Sequence, residues 1–232
     1  MYYAKSKRQD GSQPTVEEHL DAVSAQAAVY GDEVGMKEQA RVAGLGHDLG
    51  KCGERFQKVL NHELQNIDHA ASSAAILYRL CGKSPHEAQR AVIEVVNGHH
   101  DGLKGFETVK DLLKDLLLGR PYLTTGEGKT PSLSGTEEYQ KAVSYFLKTH
   151  PSEGMRIPKW DFPRGMENLG SMLCSRMLFS CLVMQITAYR PGRMTRPTLS
   201  LPNHRNWMQQ RVWMRCIPIV TRFVKNPRQM PV

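Results

Sequence analysis

The chain has 232 residues, of which 40% are hydrophobic and 23% are charged, a composition typical of a globular protein. No apolar run approaches the roughly 18 residues of a membrane span, and none follows the N-terminus as in a signal peptide. The five cysteines are scattered and form no C-x-x-C pair, which disfavours a disulfide framework or a cysteine-ligated zinc. The sequence therefore indicates a protein of the reducing cytoplasm.

The formal net charge of +8 is unevenly distributed. Residues 184–232 hold eight arginines, one lysine and no acidic residue, a net charge of +9. The residues before them hold the other 22 basic side chains and all 23 acidic ones, a net charge of −1. The last segment also shows neither a sustained helical period nor strand alternation. The sequence predicts a near-neutral domain over residues 1–183, with a basic, irregular and poorly ordered tail over residues 184–232.

The patterned part of the chain predicts helix after helix. Thr15 and Glu18 form a capping-box pattern at the start of the first helix. The predicted helices, in chain order, are Val16 through Ala27, Met36–His47, Arg55–Leu60, Asp68–Leu80, a helix with Pro85 in its first turn, Phe106–Leu118, Glu137–Lys148 and Met166–Val183. Residues 119–135 are rich in Gly, Thr, Pro and Ser and predict a loop insertion. The expected fold class is all-α, a helical bundle.

A series of histidines with one aspartate falls at or near the ends of these predicted helices. Its members are His19, His47, Asp48, His69, His99 and His100. Residues at the ends of different helices can converge on one pocket of a bundle, and neutral imidazoles with a carboxylate suit Mn, Fe, Ni, Co or Zn. One carboxylate beside a histidine, as in His47-Asp48, can bridge two ions. The pattern predicts a metal site between helix ends.

Each of these residues also has an ordinary structural interpretation. A single helical histidine such as His19 is more often a surface or capping residue, and His99-His100 could simply end a helix. Asp68 before His69 is a good N-cap whatever His69 does, and Lys51 alone would usually be a solvated lysine. The other histidines show no partner pattern and are expected at the surface; they are His62, His86, His150 and His204.

Taken together, the motifs resemble the HD phosphohydrolase superfamily and, within it, the HD nuclease domain of type I CRISPR systems. The resemblance covers residues 1 to about 183 and is weakest over 119–165. The matching segments are YYAKS at the N-terminus, TVEEHL at Thr15–Leu20, AGLGHDLGKCGERFQKVL at Ala43–Leu60, DHAASSAA at Asp68–Ala75 and NGHHDGL at Asn97–Leu103. The Phe56-Gln57 pair and the His-His-x-Gly-Leu ending are typical of the CRISPR branch.

The resemblance implies an HD-domain bundle with two divalent metal ions, of Mn, Mg, Ni, Co or Fe. It places His19, His47 and Asp48 on one ion, and Asp48, as a bridge, with His69, His99 and His100 on the other. Lys51 would lie beside the scissile phosphate, with Asp48 and Lys51 as the catalytic residues. The implied activity is cleavage of single-stranded DNA in cytoplasmic antiviral defence. The implied partners are the CRISPR helicase portion and the RNA-guided surveillance complex.

One element of the family pattern is missing. The family ends its site with an aspartate in a segment resembling S-x-L-V-D-A-D, whereas this chain continues from Val183 with Met184-Gln185-Ile186-Thr187. One set of codons for these four residues, ATG-CAG-ATT-ACC, spells Asp-Ala-Asp-Tyr when it is read one base earlier after a G. One hypothesis is therefore a single-base deletion near codon 183, with residues 184–232 translated out of frame. The alternative is a divergent tail with a different fourth ligand. Loss of the aspartate without a replacement ligand would impair the site.

Two further functions stay open at this point. The chain could be an HD-type phosphohydrolase of nucleotides, which would need a pocket closed around base and sugar. It could instead be a non-catalytic nucleic-acid-binding protein whose basic tail contacts phosphates, with salt-sensitive binding.

Overall fold

The computed structural model describes residues 1–7, 11–64, 68–82, 84–104, 122–125, 128–131, 137–150 and 156–188. Within them the chain forms an all-α bundle with one small hairpin, which confirms the predicted fold class. The helices are α1 (Val16–Glu33), α2 (Lys37–Gly46), a 3-10 turn (Leu49–Lys51), α3 (Glu54–Leu60), α4 (His69–Cys81), α5 (Glu87–Gly98), α6 (Glu137–Thr149) and α7 (Glu167–Ala188).

Predicted capping residues set the starts of two helices. The Thr15 hydroxyl accepts from the Glu18 amide, and the Glu18 carboxylate accepts from the Thr15 amide, so the capping box at α1 is confirmed. Asp68 accepts from the Ala71 amide at 2.8 Å and caps α4, the helix that begins at His69. Both caps lie close to histidines of the predicted site.

Helices α1 and α2 pack so closely that a glycine is required between them. A Cβ at Gly44 would lie 2.5 Å from the Cα of Ser24. The Ser24 hydroxyl donates to the carbonyl of Arg41 at 2.9 Å across the same contact. Small residues therefore let the two backbones meet, which brings His19 on α1 beside the end of α2.

Helix α7 is a core helix of the bundle. Its segment Glu167–Ile186 is long and apolar enough to cross a membrane by length and composition alone. It packs instead against α1, α2 and α5, with Cys174, Leu178 and Leu182 fully covered. These contacts are those of a core helix of the bundle.

The structure differs from the sequence prediction in three places. Tyr122–Thr125 and Gly128–Pro131 pair as antiparallel strands β1 and β2, so the predicted loop over 119–135 is wrong there. Threonines favour strands, but the turn residues around them hide this preference in the sequence. Helix α7 continues through residues 184–188 rather than ending at 183. Pro85 precedes the N-cap of α5 rather than lying in its first turn. The predicted helix Phe106–Leu118 and the tail beyond 188 lie outside the described residues.

His86, which we expected to be an ordinary surface residue, is the N-cap of α5. Its Nδ1 accepts from the Gln89 amide, and the Gln89 side chain accepts from the His86 amide. Burial lowers the pKa of His86 below its ordinary value, against the raising effect of a hydrogen bond with the backbone of Ile157. A neutral ring is needed because a protonated Nδ1 could not accept.

This cap predicts a pH dependence of stability. The unfolded chain binds a proton at His86 more readily than the folded chain, so stability should rise with pH and fall as pH drops below about 6.5. His86→Asn keeps a capping acceptor that does not titrate. In urea unfolding at pH 7.5 and 5.5, the loss of stability at the lower pH should be smaller in His86→Asn than in the wild type. An equal loss would contradict the capping role.

Candidate metal centre

Four helix ends bring all six members of the predicted series together. His19 lies in the second turn of α1, His47 and Asp48 follow α2, His69 begins α4, and His99 and His100 follow α5. Their ligand atoms form two groups, each with all atoms within 4.8 Å of one another. One group is His19, His47 and Asp48; the other is Asp48, His69, His99 and His100.

Asp48 belongs to both groups because its two oxygens face opposite sides. Oδ2 lies 3.0 Å from Nε2 of His19 and 3.2 Å from Nε2 of His47. Oδ1 lies 3.3 Å from Nε2 of His69 and 3.6 Å from Nε2 of His99. A carboxylate placed in this way can bind one cation through each oxygen.

Backbone carbonyls orient two of the imidazoles. Nδ1 of His47 lies 2.7 Å from the carbonyl oxygen of Gly44, and Nδ1 of His99 lies 2.6 Å from that of Val96. A carbonyl oxygen can only accept, so each Nδ1 carries a hydrogen and Nε2 is the ring nitrogen left to bind a metal. Both Nε2 atoms are on the Asp48 side of the ring, as expected for a metal-binding histidine held by its second nitrogen.

The protonation states also suit metal binding. Burial acts to raise the pKa of Asp48, but the His47 ring, the Lys51 ammonium and hydrogen bonds from His19 and His47 hold it well below its ordinary value. Burial lowers the pKa of His19, and burial with the nearby rings of His99 and His69 lowers the pKa of His100 to about 4. At neutral pH the carboxylate is ionised and these imidazoles are neutral, which is the state that metals bind.

Two buried acceptors in the cluster make no hydrogen bond to any described residue. They are Oδ1 of Asp48 and Nε2 of His99, which lie 3.6 Å apart. A buried acceptor without a donor is costly, and two lone pairs facing each other add repulsion. A cation between them would satisfy both. Two nitrogen ligands at right angles on one ion lie about 3.0 Å apart when each bond is near 2.1 Å. The 3.2 Å between Nε2 of His19 and of His47 is close to that spacing, so these residues fit a divalent metal.

Gly50 and Ser73 join the two halves of the site. A Cβ at Gly50 would overlap the carbonyl oxygen of His69 and lie 2.9 Å from the His69 Cα. The Gly50 amide donates to the Ser73 hydroxyl at 2.8 Å, and that hydroxyl donates to the His69 carbonyl at 2.6 Å. The φ of Gly50 is not positive, and the structure requires glycine there because two backbones approach closely.

Lys51 lies at the edge of the cluster rather than in bulk solvent. Its Nζ is 2.8 Å from Oδ2 of Asp48 and 5.3 Å from the centre of the Phe56 ring. The Phe56 ring also packs edge-on against His69, with ring centres 5.3 Å apart. His19 and His47 are completely covered, whereas His100 is exposed. The cluster therefore opens to the surface on the side of His100, His69 and Lys51.

The other histidines, which the sequence predicts at the surface, have different surroundings. His62 is exposed, while His150 contacts Asp21 at 3.0 Å and stacks on Phe146, and His204 lies outside the described residues. Two surface cavities, of about 480 and 560 Å³, are lined by other residues, so cavity volume does not locate this site. Sequence reasoning missed Ser73 and Gln57, because their side chains contact the backbone of Gly50 and of Tyr3, which are 23 and 54 residues away in sequence.

Helix α7 packs against the helices that carry His19, His47 and His99 but, over its described side chains, supplies no member of either ligand group. Where the resemblance expects an aspartate, the chain places Met184, Gln185 and Ile186, with Gln185 buried. The described cluster thus has a single carboxylate, that of Asp48.

A comparison with known protein families matches the part of the chain that contains the cluster. The sequence profile described as HD domain matches residues 16–153, more than half of the chain. A search of the curated proteins finds no match.

Proposed function

Because the chain belongs to the HD-domain family, whose members are metal-dependent phosphohydrolases, we propose that it is a nuclease that cleaves single-stranded DNA with two divalent ions. The observation that carries the proposal is Asp48, whose two oxygens face the two groups of imidazole nitrogens. A shared carboxylate of this kind suits two ions acting on one phosphodiester. The DNA substrate and the CRISPR context rest on the resemblance over residues 1–183.

The charge of the site supports an anionic substrate. The Asp48 carboxylate and the Lys51 ammonium carry opposite charges that cancel each other, and an imidazole binds a metal only as a neutral ligand. Bound divalent ions would leave the site strongly positive, which favours a phosphate group. When bound, such ions polarise a phosphoryl oxygen and lower the pKa of a water molecule.

The residues of the chain would divide the remaining tasks. Asp48 holds the two halves of the cluster together, and the carbonyls of Gly44 and Val96 keep His47 and His99 in the ligand tautomer. Lys51, next to Asp48 at the edge, would contact the non-bridging oxygens of the phosphodiester as a point charge. A polymer strand would approach the cluster from its exposed side, at His100. A polymer strand needs an open site, whereas a nucleotide phosphohydrolase needs a pocket that closes around the base and sugar.

The wider setting of this activity is part of the proposal. We place the protein in the cytoplasm, working with a CRISPR helicase portion and an RNA-guided surveillance complex. Because the described part of α7 supplies no carboxylate to the cluster, we expect activity below that of an HD site with an additional acidic ligand. Sequencing the locus around codon 183 tests the frameshift hypothesis: a continuation without an acid-bearing helix or helicase motifs in the other frame rejects it.

A substrate panel tests the proposed function. The purified chain, stripped with a chelator and reloaded with Mn²⁺ or Ni²⁺, is incubated with circular single-stranded DNA, RNA, dNTPs and cyclic dinucleotides. We expect cleavage of the circular DNA, and loss of cleavage after chelation. His47→Ala should abolish it, while His62→Asn, which changes an exposed histidine outside the cluster, should not. Asparagine tolerates the positive φ at that position.

The panel separates the alternatives. Hydrolysis of dNTPs or cyclic nucleotides without DNA cleavage would replace the nuclease with a nucleotide phosphohydrolase. Salt-sensitive DNA binding without metal-dependent hydrolysis, lost when residues 189–232 are deleted so that α7 is left whole, would indicate a non-catalytic binding protein.

A further inference from the structure

The side chain of Gln57 makes three hydrogen bonds to the backbone of Tyr3 and Lys51. Its Oε1 accepts from the amide of Tyr3 at 3.0 Å. Its Nε2 donates to the carbonyl of Tyr3 at 3.0 Å and to the carbonyl of Lys51 at 3.0 Å. Both amide hydrogens and the amide oxygen are therefore used, and the bonds join segments 54 and 6 residues away in sequence.

The same N-terminal segment contacts the other end of Lys51. The Lys51 ammonium lies 3.4 Å from the carbonyl oxygen of Ala4, in addition to its 2.8 Å contact with Asp48. Ala4 is buried, and its amide donates to the carbonyl of Pro14 at 2.9 Å, just before α1. The carbonyl that faces the ammonium thus belongs to a segment that Gln57 holds.

We propose that Gln57 is a positioning residue that keeps the Lys51 ammonium next to Asp48 by fixing both the backbone and the ammonium end of Lys51. It holds the Lys51 backbone directly and, through Tyr3, places the Ala4 carbonyl against the Lys51 ammonium. The adjacent Phe56 contributes the ring over which the ammonium lies. Without the Gln57 amide, the lysine side chain keeps its charge but loses its fixed direction, and long side chains that are not held sample many rotamers. The consequence for catalysis rests on the proposed function, whereas the placement of Lys51 does not.

The first test measures the accessibility of the Lys51 amine without any activity. The metal-free protein is treated with a water-soluble acetylating reagent, and the rate of acetylation at Lys51 is read by peptide mass spectrometry. Gln57→Ala should raise that rate about threefold or more, the effect of losing hydrogen bonds of ordinary strength. Gln57→Glu has nearly the same shape and still accepts from Tyr3, but it cannot donate to the Lys51 carbonyl, so it should also raise the rate.

Gln39 provides the matched control. It is a buried glutamine whose amide donates to the carbonyl of Pro158 at 3.1 Å, outside the metal centre. Gln39→Ala should leave Lys51 acetylation unchanged. If the Gln57→Ala variant does not fold, the rate of Lys51 acetylation in Gln57→Glu tests the proposal. Wild-type acetylation of Lys51 in the folded Gln57→Glu variant would overturn the proposal.

The second test uses the hydrolytic reaction. Gln57→Ala should lower kcat by about tenfold or more with little change in metal content, as expected for a group supporting the reacting site. In the Lys51→Ala background the same change should cost less than about twofold, because the residue it positions is gone. Full additivity of the two effects would overturn the link to Lys51. A chain with no hydrolytic activity refutes the proposed function and leaves the acetylation test to decide this inference.

Discussion

Asp48→Ala is expected to abolish metal-dependent hydrolysis, lowering kcat/KM by about 1,000-fold or more, as when groups acting as a unit lose their shared member. Asp48 is the only described residue that belongs to both ligand groups. Its removal takes one oxygen from each group and leaves Lys51 without its 2.8 Å partner. The measurement is hydrolysis of circular single-stranded DNA over a range of Mn²⁺ concentrations. Raising the metal concentration should not restore the variant.

Asp101→Ala is the control for this change. Asp101 is an exposed carboxylate next to His100 that contacts Lys104 at 3.6 Å and belongs to neither ligand group. This variant should keep activity within about twofold of the wild type, since exposed ion pairs contribute little. A folded Asp48→Ala variant with wild-type hydrolysis would show that Asp48 is not the shared ligand.

Gly50→Ala is expected to cause the largest loss of stability among single-methyl additions at the site. The new Cβ would overlap the His69 carbonyl oxygen, and backbone cannot move aside as a flexible side chain can. Overpacking of this kind costs about 3 kcal/mol, and here it also pushes His69 away from Asp48. Urea unfolding should show the loss, and the variant should bind less metal.

Gly82→Ala is the control for this change, because it adds backbone strain without a steric clash. Gly82 ends α4 with φ of 89°, and a Cβ there would meet nothing within 4 Å. It should cost about 1–3 kcal/mol, the strain of an alanine at positive φ with ψ near −175°, and leave metal binding intact. An equal loss of metal binding in the two variants would contradict the close approach of Gly50 to His69.

The local features of this fold could be predicted from sequence because their signals lie within a few residues. The Thr15–Glu18 capping box and the Asp68 cap are read from neighbours three positions apart, and both are confirmed. The positions of His69 and of His99 at helix ends follow from the same patterns. The hydrophobic period then places these ends on a common bundle, which is enough to predict an all-α protein.

The contacts that organise the site could not be predicted in this way. Gly50 meets His69, and Gln57 meets Tyr3, across chain separations that only the folded bundle brings together. Helix α7 also extends past residue 183, after which the sequence predicts an irregular tail, because Gln185 is still packed within the bundle. The family pattern ends at residue 183, but helix continuity depends on packing instead.

The central claim is that the His/Asp cluster binds divalent metal through Asp48 and the surrounding imidazoles. Its most direct test is the metal content of the purified chain after loading with Mn²⁺ and removal of free ions, measured by mass spectrometry of the elements. The wild type and His62→Asn should retain metal, while His47→Ala and Asp48→Ala should lose most of it. Unchanged metal content in folded His47→Ala and Asp48→Ala would contradict the account.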